Sequence, residues 1–182
     1  MHRSKNQVRI IAGQYRHRLL RFPDCDGLHP TSDRTRETLF NWLGSLRGYC
    51  CLDLFAGSGA LGFEAASRGA DYVLMVERNA QAVKYLNDSK RELEAKNVEI
   101  VMGDALLHIK QESRRFDVVF LDPPFGANML PRLLDTIPHC LTTGGQVYIE
   151  SDTLPILDQW QITRTGKSCH TQYALLKFIA NS

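Results

Sequence analysis

The 182-residue sequence has no uninterrupted apolar run approaching bilayer length, no C-x-x-C pair, no internal repeat and no low-complexity tract. The first absence argues against a membrane-spanning helix. The five cysteines (Cys25, Cys50, Cys51, Cys140 and Cys169) are odd in number and not spaced as metal ligands. They point away from a disulfide framework or zinc ribbon and toward reduced thiols in a cytoplasmic protein. The opening "MHRSKNQVRIIAG" is basic but lacks the apolar segment of a secretory leader. The histidines at positions 2, 17, 29, 108, 139 and 170 show no metal-ligand spacing, and no metal is expected. No acid precedes Asp24, so residues 1–48 carry nine Lys/Arg against four acids. That is a net +5, and since the whole chain is +2, the remainder is −3. A basic arm on a slightly acidic body suits a protein that meets phosphates with one end.

What is present is an alternation. "QVRIIAG" and "HRLLRFP" read as two short strands with a turn near Gly13–Gln14, and "FPDCDGLHPTS" reads as a loop. Ser32 or Asp33 can cap a helix over about 33–46, whose apolar stripe is Leu39, Phe40, Leu43 and Leu46. From residue 50, apolar runs ("CCLDLF", "YVLMVE", "VEIVMG", "FDVVFLD", "GGQVYIES") alternate with helical segments. The pattern predicts a parallel sheet covered on both faces. Two strand-like runs around Gly166–Lys167 predict a closing antiparallel hairpin.

Two stretches carry the chemistry. "LDLFAGSGALGFEA", residues 52–65, places Gly57, Gly59 and Gly62 as G-x-G-x-x-G behind a strand. Such a loop brings backbone N–H groups close to a ligand. A nicotinamide site would offer them to a pyrophosphate, and a carboxylate there would be unwelcome. Asp53 stands four residues before Gly57, which favours a ligand with cationic groups and no phosphate, as in S-adenosylmethionine. Glu77 ends the next strand, where a carboxylate takes ribose hydroxyls. Asp104 follows the third strand, placed either to accept from an adenine amino group, with the Ala105 N–H beside it, or to cap the next helix.

The second stretch, "VVFLDPPFG" at 118–126, puts Asp122, Pro123, Pro124 and Phe125 at the carboxyl end of a strand, where α/β ligands bind. Two prolines fix φ and remove two N–H donors, leaving carbonyls and the Asp122 carboxylate as pure acceptors. That set suits an exocyclic –NH₂ group, and Phe125 can stack on its base. A base reached this way must be unpaired or flipped out.

In this order, "DLFAGSGALG" and "LDPPF" resemble class I S-adenosylmethionine-dependent methyltransferases acting on exocyclic amines. "IIAGQYRHRLLRFP" followed by "LHPTSDRTRETLFNWL" narrows this to a resemblance to the bacterial 16S rRNA guanine-N2 methyltransferase family, RsmD, over about residues 7–178. The resemblance implies a Rossmann-like fold: a mostly parallel seven-stranded sheet with helices on both faces. It implies a basic hairpin-and-helix extension at 1–48 and a methyltransferase domain at 49–182. The implied activity is methylation of one guanine N2 in small-subunit rRNA, in an assembled or nearly assembled 30S particle, by a cytoplasmic monomer. Asp53, Phe55, Gly57, Gly59, Glu77, Arg78, Asp104 and Ala105 are the implied cofactor residues. Asp122, Pro123, Pro124 and Phe125 are the implied catalytic group. Arg16, Arg18 and Arg21 on the hairpin, supported by Arg9, Arg3 and Lys5, are expected on rRNA phosphates. Arg34 and Arg36 are expected at the pocket mouth. The alternatives are a DNA adenine-N6 or cytosine-N4 methyltransferase, a nicotinamide oxidoreductase, and a non-catalytic RNA-binding module. The chain leaves little room for the recognition region or substrate domain that the first two need.

Overall fold

A computed structural model of the chain describes residues 6–24, 30–124, 129–168 and 171–179. The leading hairpin pairs β1 (Gln7–Arg9) antiparallel with β2 (Leu19–Arg21), Val8 opposite Leu20. The strands are shorter than the expected seven residues. Past Ile10 the chain leaves the ladder and binds a neighbouring helix instead: Ile11 and Ala12 donate their N–H groups to the Glu64 carboxylate. Ser32 caps α1 (Asp33–Leu43) by accepting from the Thr35 N–H, and the helix stops at Gly44 with φ of 72°. It therefore ends three residues before the expected limit, although Leu46 beyond it is fully buried.

The main sheet contains β3 (Cys50–Asp53), β4 (Tyr72–Glu77), β5 (Val98–Met102), β6 (Phe116–Leu121), β7 (Leu141–Ser151), β8 (Trp160–Lys167) and β9 (Gln172–Phe178). Their spatial order is β5-β4-β3-β6-β7-β9-β8. The pairings from β5 to β7 are parallel, and β9 runs antiparallel to both β7 and β8. The connecting helices are α2 (Ala60–Ser67), α3 (Ala80–Leu93), α4 (Ala105–Gln111) and α5 (Leu130–Thr136), the last followed by a 3-10 turn over Ile137–Cys140. Parallel strands buried on both faces read as continuous apolar runs, and Val73, Leu74, Met75 and Val76 of β4 are all inaccessible.

Two apolar clusters flank the sheet. One joins α1, α2 and the hairpin residues Val8, Ile10 and Leu20 to Cys51, Phe120, Tyr148 and Leu175. The other joins α4 and α5 to Leu52, Leu74, Val119, Leu121 and Ile149. The N-terminal hairpin thus shares a core with the sheet. Gly13, with φ of 84°, sits so close to α2 that a Cβ there would lie 1.9 Å from the Ser67 carbonyl oxygen. Among the described residues no helix is long and apolar enough to cross a membrane.

Candidate active site

Parallel strands all deliver their carboxyl ends to one edge of the sheet. At that edge a cavity of about 490 Å³ opens, lined in part by Asp53, Phe55, Gly57, Glu77, Arg78, Asp104, Ala105, Asp122, Pro123 and Pro124. Its size falls in the usual range for small-molecule sites. Five adjacent strands each contribute one carboxylate to it at or just beyond the strand end: Asp104, Glu77, Asp53, Asp122 and Glu150.

Asp53 is only 1% exposed. It accepts from the Phe55 N–H at 3.3 Å and the Gly62 N–H at 3.1 Å. Burial pushes its pKa up to about 7, against the pull of those two bonds and with a further push from the Glu77 charge. Among the described residues no cation pairs with it in the ion pairs seen. A buried carboxylate so placed favours a positively charged ligand.

Glu77 accepts from the Gly57 N–H at 2.9 Å and the Asn79 N–H at 2.7 Å. The Gly57 N–H, which a pyrophosphate would require, is therefore already bonded to a carboxylate, and this disfavours a dinucleotide. Asp104 caps α4 by accepting from the Leu107 N–H at 3.0 Å and also lines the cavity. The alternative cap and ligand roles read from the sequence are thus compatible.

The three glycines divide their work. Gly57 lines the cavity. Gly59, expected at the ligand, is not among the lining residues: at φ of 78° it starts α2, and a Cβ there would meet Phe63 and Leu86 at 2.6 and 2.8 Å. Gly62 lets α2 approach β4, since its Cβ would lie 2.4 Å from Met75 Cε.

At the other end of the cavity, Asp122 accepts from Thr31 Oγ1 at 3.0 Å. Its carboxyl is held above the usual range by burial first, then by the Glu150 and Asp53 charges, with the Thr31 bond acting the other way. Phe125 lies outside the described residues, as do Arg3 and Lys5.

The basic residues separate into two kinds. Arg9, Arg16, Arg18, Arg21 and Arg34 are exposed, and Arg18 also donates to the Glu92 carbonyl at 2.8 Å. Arg36 is not at the pocket mouth. Its side chain is fully buried and paired at 3.4 Å with Glu64, itself fully buried. It also donates to the carbonyls of Thr31 (3.2 Å) and Arg9 (2.9 Å) and to Asp33 (2.6 Å). It is a structural cross-link, because a guanidinium so enclosed cannot reach a phosphate.

Thr31, Glu64 and Glu150 escaped the sequence reading. Only Glu150 left a trace, as an acid ending "QVYIE" much as Asp122 ends "VVFLD". Thr31 meets Asp122 across 91 positions, a separation invisible to local pattern.

Counted within the main sheet, the strand order is 3-2-1-4-5-7-6 with one antiparallel strand. That order, with the ligand cavity at the carboxyl edge, defines a Rossmann-like class I methyltransferase. Comparison with known proteins agrees. The sequence model of the family described as conserved hypothetical protein 95 matches residues 8–177. Ribosomal RNA small subunit methyltransferase D of Escherichia coli K12 is 37% identical over 181 residues, covering 96% of this chain and 91% of the relative. The protein of the same name in Haemophilus influenzae is 39% identical over 156 residues, covering 82% of this chain and 81% of the relative. The solved structure of Escherichia coli yhhF superposes with a TM-score of 0.87 at 36% identity, covering 96% and 99% of the two chains. The chain belongs to this family, that of the RsmD methyltransferases.

Proposed function

We propose that this chain transfers a methyl group from S-adenosylmethionine to the exocyclic N2 of a guanine in small-subunit rRNA. The substrate is an assembled or nearly assembled 30S particle, the enzyme works as a monomer, and an rRNA substrate places it in the cytoplasm. The observation that carries the reading is one cavity with two chemically distinct ends. Asp53, Gly57, Glu77, Asp104 and Ala105 form an end suited to an adenosine with a cationic amino-acid tail. Asp122, Pro123 and Pro124 form an end made of acceptors. Relatives of this chain bear the name ribosomal RNA small subunit methyltransferase, which supports the substrate class.

When bound, S-adenosylmethionine supplies an electrophilic methyl group. Asp53 would hold its cationic methionine end, Glu77 the ribose hydroxyls, and Asp104 with the Ala105 N–H the adenine edge. Phe55 and Arg78, which also line the cavity, would complete that end. Asp122 and the Pro123 carbonyl would each accept one N–H of the guanine amine, which draws the nitrogen lone pair out of conjugation with the ring. A guanine amine is a poor nucleophile, so most of the acceleration comes from positioning and from acceptors fixed in advance. The raised affinity of Asp122 for a proton suits it to receive the one that the amine gives up. Phe125 is assigned to stacking on the base, and the exposed Arg9, Arg16, Arg18, Arg21 and Arg34 to rRNA phosphates.

The test is transfer of labelled methyl to unmodified small subunits, naked small-subunit rRNA and duplex DNA, with the product nucleoside identified. N2-methylguanosine from rRNA or subunits is expected. Label in DNA or on adenine would overturn the reading. Asp122→Ala is expected to abolish transfer while S-adenosylhomocysteine still binds, and a variant that still transfers would remove Asp122 from the mechanism.

A further inference from the structure

Glu150 stands in the same cavity as Asp122, and the mechanism above does not use it. The last paired positions of β6 and β7 are Leu121 and Ile149. Asp122 and Glu150 each follow by one residue. Side chains alternate across a sheet, and parallel partners in register share a face. The two carboxylates therefore leave neighbouring strands, roughly 5 Å apart, on the side of Phe120 and Tyr148. Those two rings are fully buried in the cluster beneath them.

Glu150 is 7% exposed. Its two oxygens accept from Tyr148 Oη and Thr171 Oγ1, both at 2.8 Å. Among the described residues it enters none of the ion pairs seen. A carboxylate can accept about four hydrogen bonds, so these two hydroxyls fix its orientation and leave capacity toward the cavity. A buried carboxylate without a paired cation calls for donors, and among the described residues the hydrogen bonds seen to it come only from hydroxyls.

The Watson–Crick edge distinguishes the bases here. Guanine presents an N1–H donor next to its N2 amine. Adenine and cytosine present a ring lone pair next to theirs. Two acceptor carboxylates side by side match the first arrangement and repel the second.

We propose that Glu150 is a specificity-determining residue that accepts the N1–H of the target guanine while Asp122 accepts from its N2 amine. This rests on the guanine-N2 reading above and extends it: the choice of guanine over adenine or cytosine resides in the β7 end. Thr171 and Tyr148 are positioning residues that aim Glu150.

The experiment pairs Glu150→Gln with a change of one substrate position. Small subunits are reconstituted with rRNA carrying either guanine or 2-aminopurine at the position that wild-type enzyme labels. 2-Aminopurine keeps the 2-amine but carries a bare lone pair at N1. On guanine, Glu150→Gln is expected to lower kcat/KM by roughly 10- to 100-fold, the loss typical of one base-edge contact. On 2-aminopurine the wild type is expected to be poor, and the variant no worse or better, because the Gln amide can donate to N1. S-adenosylhomocysteine affinity, measured on both proteins, is expected to be unchanged, which reports an intact fold and cofactor end. An equal loss on both substrates, no loss on guanine, or a collapse of cofactor affinity would overturn the role of Glu150 and leave the guanine reading standing. Wild-type label on a base other than guanine, or on none, would overturn both.

Discussion

Replacing Arg36 with methionine tests whether a residue that resembles an RNA contact in sequence is a structural cross-link. Arg36 and Glu64 are both fully enclosed, with Nη1 and Oε2 3.4 Å apart. Removing one partner of a buried pair costs about 3–5 kcal/mol. Glu64 keeps Arg68 at 2.7 Å and the N–H groups of Ile11 and Ala12, so the lower end, about 3 kcal/mol, is expected. The carbonyls of Thr31 and Arg9 also lose a donor. For a domain of this size, about 3 kcal/mol lowers Tm by roughly 6–12 °C, read by thermal and urea denaturation. Adding Glu64→Gln should make the double variant less unstable than the two single losses combined, because each single change strands the other charge. Activity should fall as well, since Thr31, held by Arg36, donates to Asp122. A Tm unchanged within error, together with weaker binding to small subunits, would refute the reasoning and return Arg36 to the RNA surface.

Three other outcomes are expected. Burial holds the Asp53 pKa near 7 in the folded protein against 3.8 for the free side chain, so its stabilising contribution is complete below about pH 4 and lost as pH rises through about 7. The stability of Asp53→Asn relative to wild type should therefore increase between pH 4 and 7 and level off above, while S-adenosylhomocysteine binding weakens; a difference flat with pH would refute the assignment. Arg16→Glu with Arg18→Glu should weaken binding to small subunits, flatten its salt dependence by about one log–log unit per lost phosphate contact, and leave cofactor affinity alone; an unchanged apparent KM for the particle would remove the hairpin from the interface. Gly13→Ala places a methyl group 1.9 Å from the Ser67 carbonyl at a left-handed φ, and should cost more than about 1 kcal/mol in urea unfolding; a neutral variant would show that the hairpin is not seated on α2 as described.

Local chemistry made much of the fold readable in advance. Apolar runs separated by turn residues gave the parallel sheet, the pair Ser32 and Asp33 marked the start of α1 (Ser32 being the cap), and the strand-like tail gave the antiparallel β8–β9 pair. The G-x-G-x-x-G and Asp-Pro-Pro stretches marked the edge where the cavity forms, because a ligand loop must combine backbone access with acceptors in a short segment. Helix α2 is legible as a helix, but all eight of its residues are buried, so no polar face betrays which side carries Glu64.

By itself the sequence determined the alternation of strands and helices, the position of the carboxylates at strand ends, and the excess of positive charge in the first 48 residues. All three depend on neighbours in the chain. Only the tertiary structure decided that Arg36 is a buried tie and Arg34 is not, that Gly59 turns a helix and Gly57 lines the cavity, and that Thr31 and Glu150 flank Asp122. Those outcomes depend on which distant segments pack together. A guanidinium or a carboxylate carries the same charge in either setting, and burial and partner decide what that charge does.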